Sequence, residues 1–435
     1  MKLLGLEKLY AIIILIIFGG IVLHAPLSVG FGVLFPEYAL LIKSWKELLL
    51  LALIPMAIAL ITKRQLWQKL ARDWIFRLII AYAALHVLLV AFLYQGAAAT
   101  AAGLAIDLRY ILFFGLVYVL LIVAPTYRHV MLKIGIIGAC IVVGFATLQL
   151  FLPPDILKHI GYSNETIVPY LTVDKNPDYV RVNSTLRGPN PLGAYAGIVL
   201  ALLAAALVYG KLQVRSRWQG VAIGLLTLCG LVALWISYSR SALVAAIAGV
   251  AIVIGATVMR RLSRRAWIVT AAVVGAIIGG LIIGQNSRFV SNVLLHENPD
   301  GGSSISSNDE HVESLAEGIE RLIAQPFGAG VGSTGSASLY GDAPIIIENQ
   351  YLFIAHEAGW LGLGLFVTLY TLLLWRLWLR RKEWLALGVF ASGIGLAMIG
   401  LLLPVWVDDT VAIVWWGLAA MVVAKGGAHD RQPTK

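Results

Sequence analysis

The chain has 435 residues, of which 60% are hydrophobic and 13% charged, and its mean hydropathy is +0.86. Soluble globular proteins carry about 25% charged residues, so this composition excludes one and marks a polytopic membrane protein. The net charge of +10 does not indicate nucleic acid, because the basic residues fall in short stretches between apolar runs, where membrane topology accounts for them.

Cys140 and Cys229 lie in apolar runs and are expected to be small core residues. Neither a disulfide framework nor a metal site is read from them, and there is no CxxC, HExxH or His cluster.

The chain opens with MKLLGLEKLYAIIILIIFGGIVL, a charged start and an apolar run without a small-residue cleavage site. It reads as a first transmembrane helix and not a removed signal peptide. A span needs about 20 apolar residues. Twelve runs qualify: 8–24, 38–62, 74–94, 104–123, 130–151, 190–210, 218–237, 240–259, 266–284, 350–378, 385–404 and 409–424. Segment 25–37 is ambiguous between an outer loop and a re-entrant stretch.

Lys and Arg set the orientation. Lys63, Arg64, Lys69 and Arg72, then Arg128, then Lys211, Arg215 and Arg217 alternate with outer connections. The series continues with Arg260, Arg261, Arg264 and Arg265, then Arg380, Arg381 and Lys382, and ends with Lys425, Arg431 and Lys435. Twelve spans put all of these on the cytoplasmic side with both termini; thirteen would place a basic loop outside. Trp67, Trp74, Trp218, Trp375, Trp378 and Trp384 at the inner ends are interface anchors.

The expected organisation is an all-α helix bundle: N-terminal spans in 1–151, a first outer loop at 152–189, central spans in 190–284, a large outer loop at 285–348 and C-terminal spans in 349–435. Loops of that length are uncommon without a purpose. The larger holds Arg288 and Arg321 against Glu297, Asp300, Asp309, Glu310, Glu313, Glu317, Glu320, Asp342 and Glu348. Ser307 and Glu310 form an S-x-x-E capping box, so a helix starts near Asn308. Val312, Leu315, Ile319, Leu322 and Ile323 recur at helical spacing and Pro326 stops it. It is amphipathic, lying on the bundle or in the interface, with His311 in its first turn.

Two arginines fall at the outer mouth: Arg187 in STLRGPNPLGAYAG and Arg240 in WISYSRSALVAAIAG. An arginine at the edge of hydrocarbon is costly and marks a functional candidate. Two on one face point to an anionic partner, and guanidinium forks suit phosphate oxygens. A snorkelling arginine or an acidic loop partner is the plainer alternative for each. Lys43 and Lys46, in the outer half of the second span, are further phosphate candidates, although Lys43 and Glu47 form an i,i+4 pair. Asp107 and Arg109 carry the same ambiguity. Gly328, Gly330 and Gly332 in GAGVG either cradle a phosphate with backbone N–H groups or act as a connector; no GK[ST] follows, so this is not a P-loop. Glu348 and Asn349 head the tenth span. His356 and Glu357 lie roughly 12 Å deeper at ~1.5 Å per residue, as functional groups or internal hydrogen-bond partners.

R-G-P-N-P-L-G at 187–193, S-R-S-A-L at 239–243, Q-P-F-G-A-G-V-G at 325–332 and E-N-Q-Y-L…E-A-G-W-L-G at 348–362 occur in this order. Across 180–365 the chain resembles the O-antigen ligase and O-antigen polymerase superfamily. The resemblance implies a multi-pass bacterial inner-membrane glycosyltransferase with an outward-facing site and no metal or other cofactor. It would move a glycan from an undecaprenyl-pyrophosphate carrier onto a hydroxyl of a glycan, lipid or protein acceptor. The family's pyrophosphate-binding arginines correspond to Arg240 and Arg187. Ligases of the family head the helix after the large loop with His-Asn, where this chain has Glu348-Asn349. Many relatives open the loop helix with arginine, where this chain has His311. Both departures favour a polymerase or another exopolysaccharide transferase.

The expected reaction is a single inverting displacement. Pyrophosphate lies between Arg187 and Arg240, Lys46 assists, and Glu348 or His311 accepts the proton of the acceptor hydroxyl. Asn349, His356 and Glu357 support the site. The rivals are a transporter or flippase of lipid-linked or anionic sugars, disfavoured by the few charges in the inner halves of the spans, and a membrane scaffold.

Overall fold

The computed structural model describes residues 3–173, 175–209, 216–257, 307–342 and 344–424, with side chains from 314 onward in the helix that opens at 307. The architecture is an all-α bundle. Nine helical stretches among the described residues are long and apolar enough to cross a membrane, and two shorter apolar helices accompany them. The expected span at 266–284 lies outside the described residues, as do the basic residues expected at 211–215, 260–265 and 425–435.

The first span runs on as one apolar stretch, Leu4–Leu34, of 31 residues. Helix α1 (Leu3–Gly20) bends through a 3₁₀ turn at Ile21–Leu23 into α2 (His24–Leu34). The ambiguous segment 25–37 is therefore mostly helix. A short α3 (Ala39–Lys43) leads to α4 (Trp45–Lys63), and α5 (Trp67–Ala71) to α6 (Trp74–Phe92). Asp73 caps α6 by accepting from Ile75 N at 3.0 Å. Then come α7 (Ala97–Val123) and α8 (Tyr127–Leu148).

The first long connection holds a feature absent from the sequence reading, an antiparallel hairpin of β1 (Tyr170–Val173) and β2 (Asn176–Val182). Tyr170 pairs with Val182 and Thr172 with Val180, and Lys175 turns the chain at φ 64°. Three small-residue helices follow around one seam: α9 (Pro189–Val208), α11 (Arg240–Thr257, after α10, Arg217–Ile236) and, later, α15 (Trp384–Gly400). A Cβ on Gly395 would lie 2.9 Å from the Ala245 carbonyl, and one on Gly193 2.7 Å from the Ala242 methyl. Between membrane helices lipid offers no hydrophobic drive, so such close backbone packing holds the seam.

The large connection carries α12 (Ser307–Ala324), matching the expected helix and its stop before Pro326, and a single turn α13 (Gly335–Ser338). Helix α12 leans on α14 (Gln350–Leu379): Trp360 Nε1 donates to the Leu322 carbonyl at 2.7 Å, and Gly318 abuts Leu352. Its Leu315, Ile319 and Ile323 stay exposed. The chain closes with α16 (Asp409–Val423), buried along its whole length against α7. Trp406, Trp415, Trp416, Tyr110 and Tyr370 form an aromatic core there, with Tyr110–Trp416 centroids 5.2 Å apart.

One expectation is corrected. Cys140 is exposed and Cys229 half-buried, not core. The outside of a membrane bundle is as apolar as its inside, so apolar surroundings in sequence do not assign a residue to the core. The tenth span, Gln350–Leu379, matches its expected bounds and breaks within them at Gly359, at φ 64° and ψ −168°.

Candidate functional site at the loop end of the bundle

A third arginine organises the turns that carry Arg187 and Arg240. Arg181 on β2 donates from Nε to the Ser237 carbonyl at 2.9 Å and from its terminal nitrogen to Asn190 Oδ1 at 2.6 Å. Asn190 begins α9, three residues after Arg187. Ser237 caps the end of α10, three residues before Arg240. Arg181 therefore ties the segments bearing the two sequence candidates to each other. The close fit of Gly193 against Ser237 and Ser239 reinforces this. Arg187 is exposed and its charge acts on buried Asp408; Arg240 is half-buried at the start of α11. Beside this turn an apolar groove of about 490 Å³ opens, lined by Leu231, Trp235, Tyr238 and Leu243 among others.

Lys46 has a different setting from the one expected. It is 3% exposed, and its ammonium lies 3.0 Å from Asp409 Oδ2, 3.1 Å from Glu47 Oε1 and 3.2 Å from the Lys43 carbonyl. It is the core of an internal ion network and not a spare cation for phosphate. Arg109 joins the network through Asp409 and lies 3.6 Å from Glu47. His24 completes it. Trp45 Nε1 donates to His24 Nδ1 at 3.0 Å, and His24 Nε2 lies 3.0 Å from both Asp409 Oδ2 and the Lys46 ammonium. The expected Lys43–Glu47 pair is replaced because the helix breaks at Ser44, so the two residues belong to different helices. Asp408 caps α16 by accepting from Val411 N at 2.9 Å; burial raises its pKa, opposed by that hydrogen bond and then by the charge of Arg187.

The glycine loop binds an internal anion. At the α14 break the freed carbonyls of His356 and Glu357 accept from Ala329 N (2.6 Å) and Gly330 N (3.1 Å), and Trp360 N donates to Pro326 O (2.9 Å). Gly332 N and Thr334 N converge on Glu357 Oε1 at 3.1 and 3.2 Å. The N–H groups considered for phosphate are thus occupied by a carboxylate of the chain. Only glycine fits at 332: its φ is +88°, and a Cβ there would lie 2.2 Å from the Ala99 carbonyl.

Glu348 is half-buried at the head of α14. Asn349 is the α14 N-cap, accepting from Tyr351 N and Leu352 N and donating to the Leu401 carbonyl at 2.7 Å. Its support of the site is structural. His356 is buried with neither ring nitrogen hydrogen-bonded, and the charge of Arg321 on α12 acts on it. His311 falls early in α12, where side chains lie outside the described residues.

Sequence reasoning missed Arg181, His24, His86, Asp408 and Asp409. The signal was present for four of them: ionisable residues inside or at the edge of apolar runs are functional or structural keys by default. Arg181, in a polar loop, carried no such signal. Comparison with known proteins supplies no relative: no protein-family model matches the chain, and no curated protein matches it.

Proposed function

We propose that the chain is a glycosyltransferase of the outer face of the cytoplasmic membrane, with twelve spans and both termini inside. It moves a glycan from an undecaprenyl-pyrophosphate carrier onto an acceptor hydroxyl, as a polymerase or ligase of surface polysaccharide. The observation that carries this reading is the Arg181 clamp, which gathers the segments of Arg187 and Arg240 at one mouth. Paired guanidinium groups can hold a pyrophosphate and stabilise it as it leaves, the role a divalent metal takes in other transferases. The apolar groove beside Tyr238 suits a prenyl tail attached to that pyrophosphate.

In this reading the donor stands with pyrophosphate at Arg187 and Arg240. The acceptor hydroxyl attacks the anomeric carbon in line, with inversion. Glu348 is the proton acceptor at the helix head, with His311 as the other candidate. Lys46 and Asn349 act indirectly, holding the bundle and the start of α14.

The experiment is incubation of purified protein in nanodiscs, with EDTA, with undecaprenyl-pyrophosphate glycans, following release of undecaprenyl pyrophosphate and product size. A lengthening ladder identifies a polymerase, and a single conjugate a ligase. Arg240→Ala is expected to abolish release without loss of membrane insertion. An R240A protein that turns over at the normal rate removes the pyrophosphate assignment. Absence of release with or without metal, together with glycan flux across the vesicle wall, would instead make the chain a transporter.

A further inference from the structure

We infer that Asp107 and Glu357 hold one proton between them, forming a proton-binding site that fastens the glycine loop to the break in α14. The inference stands independently of the reaction proposed above.

Glu357 is 1% exposed and Asp107 5%. Glu357 Oε1 is filled by the two loop N–H groups. Its other oxygen, Oε2, and Asp107 Oδ2 have no hydrogen-bond partner, and the two carboxyl groups converge on one point: Gly332 N, which donates to Glu357, also packs against Gly103, one turn before Asp107 on α7. Two ionised carboxylates are acceptors only. Buried side by side they repel and leave both oxygens unsatisfied, and one shared proton removes both problems.

No neighbouring donor is hydrogen-bonded to either oxygen. From α6, His86 Nε2 stands 3.7 Å from Asp107 Oδ2. His86 Nδ1 lies 2.8 Å from the Tyr82 carbonyl, which only accepts, so Nδ1 carries a proton, and at 3.7 Å Nε2 makes no hydrogen bond to Asp107. The Tyr82 hydroxyl, also from α6, and Tyr110 from α7 lie in the same field. From the loop come the N–H groups of Gly332 and Thr334, with the unpartnered hydroxyl of Ser333 between them. On α14 the neighbour is His356, with Arg321 of α12 beyond it. Arg109, two residues along α7, is committed to Asp409 on the other side of that helix. With one shared proton the carboxyl pair carries a single negative charge, solvated by two backbone dipoles. Without it the pair carries −2 in a site closed to water.

The same proton joins three elements. It links α7 to α14 through the carboxyl pair, and the loop to α14 through Oε1. Loss of the proton sets two anions against each other beneath the loop and loosens it.

Infrared difference spectroscopy of the full chain in nanodiscs, in H₂O and D₂O at neutral pH, tests this directly. The wild type is expected to show the deuterium-sensitive carbonyl band of a protonated carboxylic acid. Glu357→Gln and Asp107→Asn are each expected to remove it, because the amide N–H₂ replaces the proton and the remaining carboxylate ionises. Absence of the band in the wild type, or its survival in both variants, overturns the proposal. Glu357→Gln keeps an acceptor for Gly332 and Thr334, so the fold is retained. Amide exchange across 328–334 is then read against pH. In the wild type it should accelerate as the band disappears, and in E357Q it should stay flat. Equal acceleration in E357Q means the proton does not fasten the loop.

Discussion

Asp107 and Arg109 stand two residues apart on α7 and serve separate buried clusters, Asp107 toward His86 and Glu357, Arg109 toward Asp409 and Glu47. Two residues turn a helix by about 200°, so one short stretch reaches both sides. One cluster locks the glycine loop to α14, and the other locks α2, α4 and α16 together. The helix between them is the most enclosed of the long spans. Substitutions in the two clusters should therefore act additively, since they share no partner.

Asp409 is the anion on which the second cluster turns. Asp409→Ala leaves Lys46 and Arg109 buried without their main counter-charge, and removing one partner of a buried pair costs about 3–5 kcal/mol. Unfolding of the nanodisc-embedded protein should show this loss. Lys46→Met in the same background should restore part of it. If D409A unfolds like the wild type, the network is not structural.

Arg181→Ala should release the α10–α11 turn from the start of α9. Hydrogen bonds from a charged donor contribute about 1.5–3 kcal/mol. Lysine keeps the charge but cannot reach both acceptors as a fork, so R181K should recover little. Donor-lipid affinity, measured alongside membrane insertion, should fall for both variants. Unchanged affinity in R181A means that Arg187 and Arg240 do not need the clamp.

Gly332→Ala should undock the loop, because the added methyl meets the Ala99 carbonyl and the backbone sits at positive φ. Strain of this kind costs about 1–3 kcal/mol. Limited proteolysis of 325–345 should quicken. Gly364, where an added Cβ meets nothing within 4 Å, is the control, and G364A should leave the loop intact.

Asp73 sets an acid limit at the other end of the bundle. Burial pushes its carboxyl up, but the Arg376 guanidinium at 2.8 Å and the Tyr118 hydroxyl at 2.6 Å outweigh that and hold it below the usual carboxylate value. A carboxylate depressed on folding stabilises the protein above its unfolded pKa. That contribution disappears as pH falls through the lowered value. Asp73→Asn should flatten this acid branch of the stability profile, and an unchanged profile would falsify the assignment.

Much of the arrangement was legible before folding. The expected start near Asn308 and stop at Pro326 agree with the bounds of α12, because helix ends are set by local sequence signals. Arg187 and Arg240 were legible as candidates because arginine beside hydrocarbon is costly wherever the chain goes. Lys46 was visible for the same reason, but its partner was not. Asp409 is far along the chain, and nothing between the two residues records that α4 and α16 meet. The GAGVG loop had two readings in sequence, and only its position under Glu357 chose between them.

The sequence by itself determined that this is a bundle of apolar helices, because a long apolar run must satisfy its own backbone hydrogen bonds where water is absent. It also determined where the long polar connections lie. The tertiary structure alone decided which ionisable groups pair, which face of each helix meets lipid, and where α14 breaks. Those depend on helix against helix, and in a membrane the inner and outer faces of a helix are equally apolar, so periodicity leaves no trace of the choice.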